Sequence, residues 1–142
     1  MGRLMAIDYG RKRCGVAVTD SMRIVATGLA TVPTASLVDF VVSYVASEPV
    51  DAIIVGLPRT VHGELSQSMD YIQPGIRKLQ AALPEMKVEF FDERFTSVIA
   101  HRSMIDSGMK KTRRRDKAAV DEMAATIILN DYLQSRQYND TL

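Results

Sequence analysis

Leu4-Met5-Ala6-Ile7-Asp8-Tyr9-Gly10-Arg11-Lys12-Arg13-Cys14-Gly15-Val16-Ala17-Val18-Thr19-Asp20 is the stretch from which the fold is read. Two apolar runs flank the short link Gly10 to Arg13, the pattern of a β-hairpin in which glycine supplies the tight turn. Leu4 to Ile7 is apolar at every position, as a central strand covered on both faces requires. Asp8 then puts a carboxylate at the end of that strand, a costly place for a charge unless a partner neutralises it. Gly10 and Gly15 keep side chains out of the way, and Arg11, Lys12 and Arg13 make the turn cationic. Acid, glycine and cations in this order suit a site that handles a phosphate through a metal ion.

Outward from this hairpin, the 142 residues suffice for one domain with a true core, taken as residues 1–142. The single cysteine, Cys14, excludes an intramolecular disulfide and a cysteine-based zinc site, and points to a reducing cytoplasm. No apolar run is long enough to cross a bilayer and no signal peptide is read at the N-terminus, so no membrane partner is expected. A net charge of +1 announces no polyanion partner, but the distribution does. Lys110-Lys111-Thr112-Arg113-Arg114-Arg115-Asp116-Lys117 packs six cations and one acid into eight residues.

Along the chain, Ile24 to Val32 reads as a third strand ended by Pro33, with Asp20 to Met22 turning into it. Ala35 to Ser47 carries Leu37, Phe40, Val41, Tyr44 and Val45 on one helical face. Asp51 to Val55 is an apolar strand stopped by Gly56-Leu57-Pro58. Met69, Ile72, Ile76, Leu79 and Leu83 recur at helix spacing, but Pro74-Gly75 predicts a kink or two short helices there. Lys87 to Phe91 is a last strand. Thr96 or Ser97 starts a helix to about Asp106, and Lys117 to Gln134 forms the final helix, with a frayed tail from Gln137. Three strands joined by short links are antiparallel, and strands reached through helices add in parallel. The prediction is an α/β domain with a mixed five-stranded sheet, three strands antiparallel and two parallel, and helices on both faces.

The final helix is apolar over most of its circumference, yet Asp121 shares a face with Ala124, Ala125, Ile128 and Tyr132. Asp92-Glu93 ends the last strand. Asp8, this pair and Asp121 all fall at element ends that a sheet and its packed helix could bring together. Three carboxylates about 5 Å apart repel by roughly 3 kcal/mol per pair at an effective dielectric near 20. Such a group takes up protons or recruits hard cations, Mg²⁺ or Mn²⁺, and two ions make a two-metal phosphodiesterase site. Adjacent strand residues face opposite ways, so one of Asp92 and Glu93 rather than both would be the ligand.

Ala6-Ile7-Asp8-Tyr9-Gly10 with Gly15-Val16-Ala17-Val18, Val55-Gly56-Leu57-Pro58 with Gly63, Asp92-Glu93-Arg94-Phe95-Thr96-Ser97, and Asp121 with Ala124-Ala125 and Ile128-Leu129 together resemble the YqgF family. These are bacterial RNase H-like proteins described as pre-16S rRNA nucleases or Holliday junction resolvases. The resemblance covers nearly the whole chain and implies an RNase H-like fold, with Asp8, Glu93 and Asp121 as catalytic, metal-binding acids. It implies a metal-dependent nuclease acting on structured nucleic acid, in the processing of the 5′ end of pre-16S rRNA. The alternatives are a Holliday junction resolvase acting on four-way DNA and a non-catalytic nucleic-acid-binding module. Junction resolvases of the related RuvC type place an acid where this chain has Gly56-Leu57-Pro58.

Arg11 and Lys12 on the turn, Arg94 after the last strand, and Lys111, Arg113, Arg114 and Arg115 before the final helix are the candidate nucleic-acid contacts. Arg94 alternatively orients a carboxylate through an internal ion pair. His62, at a loop tip, and His101, on a helix, are given no role, because metal-assisted hydrolysis needs no histidine base. The Tyr and Phe residues fall mostly on predicted core faces, so base stacking is not expected. A sugar-kinase or actin-like ATPase opens with a similar Asp-x-Gly hairpin but needs two such domains. The oligomeric state is left as monomer or homodimer.

Overall fold

The structure is a computed structural model, which describes residues 2–57, 69–92 and 117–141. Its five strands are β1 (Arg3–Tyr9), β2 (Arg13–Thr19), β3 (Ala26–Pro33), β4 (Val50–Leu57) and β5 (Lys87–Asp92). The helices described are α1 (Leu37–Ser47), α2 (Met69–Ala82) and α3 (Lys117–Thr141), with a single 3₁₀ turn, Thr34–Ser36, leading into α1. The sheet order is β3-β2-β1-β4-β5. β1, β2 and β3 pair antiparallel, while β4 joins β1 and β5 joins β4 in parallel. The mixed five-stranded sheet is the one predicted, and β1 is its central strand.

Strand alternation divides the core in two. Met5 and Ile7 join Val16, Ile53 and Val55 beneath Leu37 and Val41 of α1 and Ile72 and Leu79 of α2. Leu4 and Ala6 join Ala17, Ala52 and Ile54 beneath Ala125, Ile128 and Leu129 of α3. This two-sided cover is why Leu4 to Ile7 lack polar alternation. The α3 side is lined with alanines from both partners, so helix and sheet approach closely. Helix α3 runs across the sheet. Near its start a Cβ on Gly28 of β3 would meet the Glu122 Cβ at 3.3 Å. Farther along, the Tyr132 ring meets Phe91 of β5 edge-on at 5.6 Å, and its hydroxyl bonds the Glu89 carboxylate.

Four local expectations are corrected. Pro74 does not break α2, which runs unbroken from Met69 to Ala82. It stands in the second turn, where its missing N–H forfeits one bond, and the buried Ile72, Ile76 and Leu79 hold the helix in place. Gly56 does not stop β4, because Gly56 and Leu57 still pair with Phe91 and Asp92. Ile24 and Val25 precede β3 and are exposed at 70% and 57%. The Asp20 carboxylate holds them in a turn, accepting the N–H groups of Ile24 at 2.8 Å and Val25 at 2.9 Å. Finally, α3 continues to Thr141 rather than fraying from Gln137. The helix expected to run from Thr96 or Ser97 to Asp106 lies outside the described residues, as do His62 and His101. No helix among the described residues is long and apolar enough to cross a membrane.

Candidate active site

Asp8 is the penultimate residue of β1 and shares the parity of Leu4 and Ala6, so it lies on the α3 face of the sheet. It is half-buried. Across the β1–β2 ladder its partner is Gly15, and Gly15 pairs in turn with Thr31 of β3. On the other side Ile7 pairs with Val55, so the same register sets Asp8 level with Gly56. Gly56 pairs with Phe91. One row across the sheet therefore reads Thr31, Gly15, Asp8, Gly56, Phe91. Asp8 has a glycine on each side, so neither neighbouring strand projects a side chain beside its carboxylate.

The start of α3 lies over the same row. The Thr31 hydroxyl donates to Glu122 Oε1 at 3.5 Å, a long hydrogen bond, and Asp121 is the preceding residue of that helical turn. Asp121 is one turn before Ala124 and Ala125, which are buried against the sheet. Thr31 and Asp8 are two strands apart, about 10 Å at normal strand spacing. At the other end of the row, Asp92 closes β5 opposite Leu57. Glu89 and Phe91 of the same strand face α3. Glu93, Arg94, Lys111, Arg113, Arg114 and Arg115 lie outside the described residues. Among the described residues no group of three potential metal-ligating side chains is gathered. Of the proposed acids, only Asp8 has a described side chain.

The hairpin turn is held from below. Thr34 donates its hydroxyl to the Gly10 carbonyl at 2.7 Å, and its N–H bonds the Lys12 carbonyl at 3.0 Å. Gly10 is required by close approach, because a Cβ there would overlap the Arg13 carbonyl. Arg11 and Lys12 are exposed. Arg11 turns toward the face opposite Asp8, its guanidinium 5.3 Å from the Tyr71 ring centroid on α2. Tyr9 projects to that side too, half-buried and packed against the core beneath α1 and α2. A Cβ on Gly75 of α2 would overlap the Tyr9 hydroxyl. Burial, with Cys14 and Tyr71 beside it, raises the Tyr9 phenol pKa, so it stays protonated at neutral pH.

A mixed five-stranded sheet in the order β3-β2-β1-β4-β5, with helices on both faces and an acid at the end of its central strand, is the architecture of RNase H-like domains. The similarity to known proteins narrows this. The family model described as "RuvX: Holliday junction resolvase" matches residues 2–135, and the chain belongs to that family. A Bacteroides fragilis protein named "Putative pre-16S rRNA nuclease" is 54% identical over 137 residues, covering 96% of this chain and 99% of that one. A Flavobacterium johnsoniae protein of the same name is 46% identical over 138 residues, covering 97% and 100%. Among solved structures, T. thermophilus RuvC in complex with Holliday junction substrate superposes with a TM-score of 0.62 at 14% identity, covering 96% of each chain. At that identity the likeness shows the fold. The family resemblance read in the motifs is thereby established.

Proposed function

We propose that the chain is a metal-dependent nuclease that hydrolyses phosphodiester bonds of structured RNA in maturation of the 5′ end of pre-16S rRNA. In this reading residues 1–142 act as a single cytoplasmic domain, and Asp8, Glu93 and Asp121 are its catalytic acids. The observation that carries it is the row Gly15-Asp8-Gly56, which sets a strand-end carboxylate between two glycines on the sheet face that α3 covers, with Glu122 of α3 bonded to Thr31 of the same row. Glu93 has the sequence parity of Glu89 and Phe91, which face the same helix.

The donor set suits a hard divalent cation, Mg²⁺ or Mn²⁺, because carboxylate oxygens are its preferred ligands. Asp8, Glu93 and Asp121 would hold it, with two ions as the fuller arrangement. When bound, such ions supply an acidified water for in-line attack and positive charge for the transition state. The β1–β2 ladder holds Asp8 opposite Gly15, one residue past the last β1–β4 pair, so its backbone is fixed before substrate arrives. Arg94 contacts the scissile phosphate or orients a carboxylate. Lys111, Arg113, Arg114 and Arg115 neutralise the backbone on the approach to Asp121.

RNA is preferred over a four-way DNA junction because β4 presents Gly56 at the level of Asp8, where RuvC-type resolvases place an acid. The relatives' shared name agrees with that choice. The test is cleavage of an end-labelled precursor RNA spanning the mature 5′ end, beside a four-way DNA junction, with Mn²⁺, with Mg²⁺ and with a chelator. The expected result is metal-dependent cutting of the RNA. Cutting of the junction alone would turn the reading to a resolvase. Binding without cutting under every metal condition would leave a non-catalytic module.

A further inference from the structure

A second concave site lies at the same end of β1, on the face opposite Asp8. Tyr9 packs its ring 6.2 Å from that of Tyr71, tilted by 31°. Arg11 lies over the Tyr71 ring at 5.3 Å. The two tyrosines border a cleft of about 430 Å³, backed by Leu37 and Val38 and lined also by Asp70 and Lys78. Gly75 shapes it, since only a residue without a Cβ lets the Tyr9 hydroxyl lie against α2. This accounts for the glycine of the Pro74-Gly75 pair, which helix propensity alone disfavours.

The lining matches one chemical class. Half-buried aromatic rings capped by a planar guanidinium make a platform on which any nucleobase can stack, a contact that does not depend on sequence. Lys78 lines the cleft and Arg11 lies over the Tyr71 ring, both exposed, so two cations stand beside it for a phosphate. Asp70 offers an acceptor to a base amino group or a ribose hydroxyl. The volume is that of an ordinary small-ligand cleft and admits a single nucleotide.

We propose that the cleft between Tyr9, Tyr71 and Lys78 is a stacking subsite for a single-stranded segment of the nucleic-acid substrate, one base resting on the Tyr71–Arg11 stack with its phosphate on Arg11 or Lys78. It extends the nucleic-acid reading without depending on cleavage. A strand passing over the hairpin turn would reach both faces of β1, with the scissile phosphate at Asp8 and an unpaired flanking nucleotide in the cleft.

The test is fluorescence anisotropy of a short end-labelled oligouridylate with the full chain in chelator, so that no cleavage contributes. Tyr71→Ala is expected to weaken binding about tenfold or more, Tyr71→Phe to keep it, and Arg11→Ala to lower the salt slope by about 0.7. Wild-type affinity in Tyr71→Ala overturns the proposal. Should that variant not fold, amide NMR of the wild type decides. Oligouridylate must shift Val38, Gly75 and Lys78, and shifts confined to residues on the α3 face refute the subsite. If the cleft binds the strand but no nucleic acid is ever cut, the nuclease reading falls and the subsite stands. Metal-dependent cutting with an empty cleft gives the reverse.

Discussion

Asp8 stands directly opposite Gly15 in the β1–β2 ladder, and the register of β1 with β4 puts Gly56 at its other side. The central strand thus presents one carboxylate between two residues that project nothing toward α3. A strand interior gains nothing from glycine, which weakens pairing and packs no surface. Two of them flanking an acid make sense where something must approach that acid closely.

Asp8→Asn tests the centre of the site. The amide keeps the shape and removes the charge, so cleavage of precursor RNA should fall by about a hundredfold or more. RNA affinity in chelator should change by less than about threefold, since phosphate binding is carried by the cations. Cleavage at the wild-type rate, measured from initial rates at saturating Mn²⁺, would remove Asp8 from the chemistry.

The basic run before α3 makes a separate prediction. Replacing Arg113, Arg114 and Arg115 together with alanine should weaken binding to all nucleic-acid sequences alike. The slope of log affinity against log salt should flatten by roughly 0.7 to 0.9 for each phosphate that is no longer neutralised. Filter binding across a salt series measures it, and an unchanged slope takes the run out of the interface.

Gly75→Ala sets two effects against each other. Alanine gains about 1 kcal/mol of helix propensity. Its Cβ would also overlap the Tyr9 hydroxyl, and overpacking of this kind costs about 1–3 kcal/mol. The clash involves a ring held against Tyr71, so it should prevail, giving a net loss of about 1 kcal/mol and a fall of a few degrees in Tm. Tyr9→Ala should then cost less in the Gly75→Ala background than in the wild type, by at least about 0.5 kcal/mol. Additive losses in urea melts would mean that the two residues do not compete for space.

Acid sensitivity follows from Asp51, whose carboxylate accepts the Gly2 N–H at 2.8 Å and pairs with Arg23. The Gly2 bond first, and Arg23 with it, holds the carboxyl below its ordinary range. The unfolded chain therefore takes up a proton at higher pH than the folded one. The stabilisation is complete above about pH 5 and is lost as pH falls through the folded-state pKa. Asp51→Asn should be less stable than wild type near pH 6, with the difference closing toward pH 3. Urea midpoints that differ equally at both pH values would contradict this. Asp20, lowered chiefly by the Val25 N–H, should behave in the same way.

The sequence by itself determined the sheet. Leu4 to Ile7 and Ala52 to Val55 lack any polar alternation, and only strands covered on both faces tolerate that, so helices had to lie on both sides. Link lengths then settled which strands run parallel. Asp8 was legible as an anomaly for the same reason: a charge ending an apolar run must serve something. Tertiary structure decided what local signals misjudge. Gly56 reads as a stop, but its pairing with Phe91 of β5 keeps it in the ladder, level with Asp8. Pro74-Gly75 reads as a break, but the apolar face of α2 outweighs one lost hydrogen bond, and the glycine proves to be the seat of Tyr9. Residues distant in sequence meet at both points, and propensity, a property of neighbours along the chain, carries no record of which strand or ring lies across the gap.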